Sequence, residues 1–124
     1  MYKSHVSEGR GRGKTLGFPT LNLDIPKKFD YGYGIYAGWV TISGQRHQGA
    51  FHYGPIPVFN IELPKLEVHV FDADFDKTAD SVSFELIQFL RSVKNFPTVA
   101  DLIKAIAADV DKARTILKNK TPSK

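Results

Sequence analysis

Between Gly34 and Leu90 the apolar residues come in short runs, broken every few positions by Gly, Pro or Asp. Such a stretch feeds strands of modest length and leaves no room for long helices. Gly34 to Ile42 reads as a strand, Ser43-Gly44-Gln45 as a turn, and Arg46 to Tyr53 as the returning partner of a hairpin. Leu66 to Asp72 alternates well, and Val82 to Leu90 less cleanly. After that the period changes. Thr98 is a good N-cap, with Asp101 three residues later, as in a capping box. Leu102, Ile103, Ile106, Val110, Ala113 and Leu117 then fall on one helical stripe, while Lys104, Asp111, Lys112 and Lys118 lie mainly off it. The expected fold is mainly β: a small antiparallel β-barrel with a C-terminal helix of about five turns packed on it. Asn119 onward is polar and expected to fray.

A chain of 124 residues is expected to form one domain, here residues 1–124. At this size about two-thirds of the unfolded surface can be buried, enough for one core. With 42% hydrophobic and 24% charged residues, the composition is that of a globular protein and argues against disorder. The absence of cysteine excludes disulfides, thiolate metal sites and cysteine nucleophiles. No apolar run is long enough to span a membrane, and Met-Tyr-Lys-Ser-His is not the start of a signal peptide. A soluble, cytoplasmic, monomeric protein is expected. Its charge is uneven: residues 1–28 carry the whole net +4, and the rest of the chain is balanced. A positive field around a glycine-rich stretch suits a phosphate or a polyanion, and a solvated basic arm would look the same.

The glycine-rich stretch is not a P-loop. Gly13-Lys14-Thr15 would need a glycine where Glu8 stands, and Gly17 and Pro19 prevent a following helix. A dinucleotide fingerprint fails at Leu16. Asp72-Ala73-Asp74-Phe75-Asp76 resembles the opening of a calcium loop, but Lys77 and Ser83 occupy its glycine and glutamate positions. A solvated turn is expected there. His5, His47, His52 and His69 have no helical metal-ligand spacing; His52 or His69 could be polar members of a site or simply hydrogen-bonded histidines.

Gly17-Phe18-Pro19-Thr20-Leu21-Asn22-Leu23 is more informative. Pro19 fixes its own φ and pushes Phe18 extended. In an extended segment Thr20 and Asn22 face the same side and present two hard oxygen donors. They could hold a nucleotide-bound Mg²⁺ or merely bond the backbone of a turn. In Leu66-Glu67-Val68-His69-Val70, alternation sends the aliphatic residues inward and Glu67 and His69 outward. An outward glutamate is usually solvated. It becomes a candidate base only where the Thr20 segment and the glycine loop cover its face.

Gly11-Arg12-Gly13-Lys14-Thr15-Leu16-Gly17-Phe18-Pro19-Thr20-Leu21-Asn22 closely resembles the signature of the riboflavin kinase (flavokinase) family. Gly34-Ile35-Tyr36, Gly54 and Pro57 with Phe59, Glu67-Val68-His69, Arg91 with Lys94-Asn95-Phe96, and Asp109 with Ala113-Arg114 match later family segments in order. The resemblance implies a Greek-key barrel with ATP under the glycine-rich loop and riboflavin in an adjoining cleft. It implies Gly11, Arg12, Gly13, Lys14, Gly17, Pro19, Thr20 and Asn22 as nucleotide-binding residues. Thr20 and Asn22 would also hold Mg²⁺ (or Mn²⁺ or Zn²⁺). Glu67 would be the general base, and Arg91 and Phe96 would bind flavin. The implied reaction transfers the γ-phosphate of ATP to the ribityl 5′-hydroxyl, giving FMN and ADP. The adenylyltransferase domain that usually accompanies the bacterial module has no counterpart in these residues.

The chain departs from the family pattern at His52 (usually Asn), Val58 (usually Thr), Thr78-Ala79 (usually Tyr-Gly) and Ser92-Val93, where an acidic residue is usual. These positions concern the nucleotide and flavin walls more than Thr20, Asn22 or Glu67. Two other functions remain open: a flavin- or nucleotide-binding module without turnover, and a basic barrel for nucleic acid. The second is disfavoured because the central aromatics form no known base-stacking motif.

Overall fold

A computed structural model of the chain describes residues 2–7, 20–57, 60–71 and 81–118. Gly11, Arg12, Gly13, Lys14, Gly17 and Pro19 lie outside them, as do Val58, Phe59, the acidic stretch Asp72–Asp76, Thr78-Ala79 and the polar tail. Six strands and one helix are described: β1 (Tyr2–Ser7), β2 (Thr20–Leu23), β3 (Gly34–Ile42), β4 (Gln45–Ile56), β5 (Ile61–Val70), β6 (Ser81–Arg91) and α1 (Val99–Leu117). The strands close into an antiparallel barrel in the order β1-β2-β5-β4-β3-β6. Consecutive strands β3, β4 and β5 are neighbours, and β6 returns to lie beside β3, which is a Greek key.

Local chemistry explains the best-defined elements. Ile42 pairs with Gln45, so β3 and β4 are joined by the two-residue loop Ser43-Gly44. Both loop residues have positive φ, 50° and 80°, the twist that suits a tight hairpin. Helix α1 starts where the sequence places it. Thr98 is extended, and its Oγ1 accepts from the Asp101 backbone N–H at 3.1 Å and donates to the Asp101 carboxylate at 3.0 Å. No helix among the described residues is long and apolar enough to cross a membrane.

Alternation divides the side chains into two cores. Leu21, Leu23, Tyr36, Val40, Phe51, Leu66, Val68, Val70 and Phe84 fill the barrel interior. On the outside, Ala37, Ala50 and Phe71 meet Leu102, Ile106, Val110, Ala113 and Leu117 of α1. Small residues on β3 and β4 let the helix approach the sheet closely.

Strand β1 removes, for residues 2–7, the alternative of a solvated arm. Tyr2 and Val6 pack against the interior core, and buried Ser4 donates to the Asp24 carbonyl. Polar Ser4 interrupts the apolar alternation that would have marked a strand.

Gly38 faces the interior where β3 crosses both neighbours. A Cβ there would strike the Glu85 carbonyl oxygen and lie 2.8 Å from the Phe51 ring. Backbone cannot yield as a flexible side-chain tip can. Gly38→Ala is therefore expected to destabilise the barrel by about 2 kcal/mol, read as a lower urea midpoint. At Gly32 nothing lies within 4 Å of the added methyl, so Gly32→Ala provides the control.

Candidate active site

Register carries the outward residues into two rows around the barrel. Asn22 on β2 lies opposite Glu67 on β5, and Glu67 lies opposite His52 on β4. His52 then pairs with Ile35 on β3, and Ile35 with Arg91 on β6. Two residues along each strand, Thr20, His69, Ala50 and Ala37 form the second row. Residues directly opposite on antiparallel strands point to the same face. Thr20, Asn22 and Glu67 are thus brought together on one outer patch, as expected. Three strand spacings separate Glu67 from Arg91, about 14 Å of arc.

This outer face is not the solvated surface that strand alternation alone would give. Glu67 is 6% exposed and His69 9%. Thr20 Oγ1 and His69 Nδ1 share a hydrogen bond at 3.0 Å. Burial, with His52 nearby, pushes the His69 pKa down to about 4, so its ring is neutral at pH 7.

His52 has a different task. Its Nε2 lies 3.1 Å from the Gly54 carbonyl and 3.0 Å from the Pro55 carbonyl. Carbonyls only accept, so Nε2 carries the proton, and in the neutral ring Nδ1 keeps its lone pair. The β4–β5 register shifts at this point, between Gly54 and Ile56. Burial lowers the His52 pKa, and Arg91 adds to the effect; the two carbonyl hydrogen bonds and Asp109 oppose it.

At the other end of the row, Arg91 is engaged within the fold. Its Nε and Nη2 donate to the two Asp109 oxygens at 2.9 and 2.8 Å, a bidentate fork, and Nη1 donates to the Ser92 carbonyl at 3.0 Å. Its guanidinium also lies 5.6 Å from the Phe96 ring centroid. Arg91 therefore fixes α1 and the loop before it against the barrel, and Phe96 packs at the edge of the helix-side core. In the sequence, Asp109 enters only through the likeness of the helix to the family. Its signal was available, since a carboxylate among Leu102, Ile106, Val110 and Ala113 needs a buried partner.

Thr20 and Asn22 supply the neutral oxygen donors that suit a divalent cation shared with phosphates, and they project beside a carboxylate. The donor set fits such an ion.

The profile of the family described as Flavokinase: Riboflavin kinase matches residues 1–117. The chain belongs to the riboflavin kinase family. It is 33% identical over 110 residues to a bifunctional riboflavin kinase/FMN adenylyltransferase of Haemophilus influenzae, covering 88% of this chain and 36% of that protein. To the human riboflavin kinase it is 32% identical over 123 residues, covering 90% of this chain and 77% of that protein. The chain thus spans about a third of the bacterial relative and about three-quarters of the human one. Among solved structures, a Streptococcus pneumoniae protein described as a macrolide-efflux protein matches with TM-score 0.78 and 27% identity, over 96% of this chain and 38% of that one. The riboflavin kinase of Trypanosoma brucei matches with TM-score 0.67 and 22% identity, over 94% of this chain and 76% of that one, which shows a shared fold. The barrel with one C-terminal helix is the riboflavin kinase fold.

Proposed function

We propose that the chain transfers the γ-phosphate of ATP to the ribityl 5′-hydroxyl of riboflavin, giving FMN and ADP. The observation that carries this reading is the direct pairing of Asn22 with Glu67, two residues from the pairing of Thr20 with His69, on a covered outer face. Phosphoryl transfer asks mainly for positioning and charge neutralisation. Here the neutralising group would be Mg²⁺, held by Thr20 and Asn22; Mn²⁺ or Zn²⁺ suits the same oxygens less selectively. When bound, such an ion supplies positive charge to the phosphate oxygens.

The chain's own residues do the rest. The Glu67 carboxylate accepts the proton of the 5′-hydroxyl as that oxygen bonds to the γ-phosphorus. The bond from phosphorus to the β–γ bridging oxygen breaks, and ADP leaves with its electron pair. Glu67 needs only hydrogen-bond reach to the hydroxyl. Gly11, Arg12, Gly13, Lys14, Gly17 and Pro19, outside the described residues, are proposed to line the triphosphate. Arg91 and Phe96 are proposed to border the flavin, with Arg91 acting mainly by holding α1 and the Phe96 loop in place.

Incubation with riboflavin, ATP and Mg²⁺, followed by chromatography, is expected to show FMN and ADP in equal amounts. Flavin binding without FMN from any nucleoside triphosphate would replace the kinase by a binding module.

A further inference from the structure

His69 is a buried imidazole whose placement the phosphoryl transfer above does not use. It sits directly across the β2–β5 ladder from Thr20, and its Nδ1 is 3.0 Å from the Thr20 hydroxyl oxygen. On its other side it faces Ala50, which is 1% exposed and belongs to the helix-side core. The ring therefore stands at the border between packed core and candidate site.

A threonine hydroxyl has one proton and two lone pairs. If His69 is protonated at Nε2, Nδ1 accepts the Thr20 proton, and this hydrogen bond uses neither lone pair of Oγ1. If His69 is protonated at Nδ1, that N–H occupies one lone pair, and the Thr20 proton must point elsewhere. The first arrangement makes Oγ1 the better ligand, because the His69 ring then draws on neither of its lone pairs. We propose that His69 is a positioning residue that, as the Nε2–H tautomer, holds the Thr20 hydroxyl proton away from the cation site. This rests on Thr20 holding the cation. It adds that the strand partner of that ligand sets its donor orientation, as outer hydrogen bonds do for other ligating side chains.

Two measurements test it. The first is the ¹⁵N resonance pattern of the His69 ring in the full chain at pH 7.5. A proton on Nε2 is expected; a proton on Nδ1 overturns the proposal. The second is calorimetric binding of ADP with and without Mg²⁺. His69→Leu is expected to reduce the Mg²⁺-dependent gain in ADP affinity by roughly 10- to 100-fold, with metal-free ADP binding unchanged. His69→Asn, whose side-chain oxygen can stand where Nδ1 stands, should restore most of the gain. An undiminished gain in His69→Leu overturns the proposal, as does a wild-type protein whose ADP binding ignores Mg²⁺. Should His69→Leu not fold, the tautomer of the wild type decides alone. A wild type with the Mg²⁺ gain but no FMN production loses the kinase reaction and keeps the role of His69.

Discussion

Glu67→Gln is expected to lower the rate of FMN formation by a factor on the order of 10² to 10⁴, the usual weight of a positioned general base. Glutamine keeps the shape of the side chain and one oxygen acceptor, but it cannot take the 5′-hydroxyl proton. The position is buried, at 6% exposure, and it pairs in register with Asn22 and His52. Glutamine is nearly the same size as glutamate, so the packing around position 67 and the fold should stay intact. Riboflavin binding, followed by quenching of flavin fluorescence, should therefore stay within roughly threefold of wild type while turnover collapses. Unchanged turnover would remove Glu67 from the chemistry. Equal losses of binding and turnover, at unchanged melting temperature, would make it a binding group instead.

Much of the candidate site is legible in the sequence, and the reason is the period of two. Leu66, Val68 and Val70 had to share one face and Glu67 and His69 the other, and the barrel interior takes the first set. Thr20 and Asn22 obey the same rule three strands earlier in sequence order. What alternation cannot supply is the ladder. That Asn22 meets Glu67, and Glu67 meets His52, depends on pairings between residues far apart in the chain, which no local pattern encodes. Burial of the outer face was likewise open, because an outward glutamate looks the same in sequence whether it is covered or wet. His52 and His69 are both hydrogen-bonded, and each stands in register with residues of the proposed site. Strand β4 runs to Ile56 and β5 begins at Ile61, beyond the expected ends, because partner strands extend pairing past the alternating segments.

Acid should weaken the fold well before its carboxylates are all protonated. His69 is held neutral with a pKa of about 4, against an ordinary value of 6.5, and burial lowers His52 in the same direction. Between those values the unfolded chain binds a proton that the folded chain refuses. Stability therefore rises with pH through this window: the contribution is complete above about pH 6.5 and lost as pH falls toward 4. For His69 alone the whole span corresponds to about 3 kcal/mol, of which about 2 kcal/mol is gone by pH 5. His52 adds a loss of the same sign. Urea unfolding at pH 7.5 and pH 5 should show this as a marked fall in midpoint at nearly constant slope. The comparison with His69→Asn isolates the cause, since a side chain that does not titrate cannot carry its share. The difference in stability between the two pH values should shrink by about 2 kcal/mol in that variant. If it falls as steeply as wild type, His69 already binds its proton in the folded chain near the ordinary value. Its ring would then be charged at pH 5, and its Nδ1 would donate to Thr20 Oγ1.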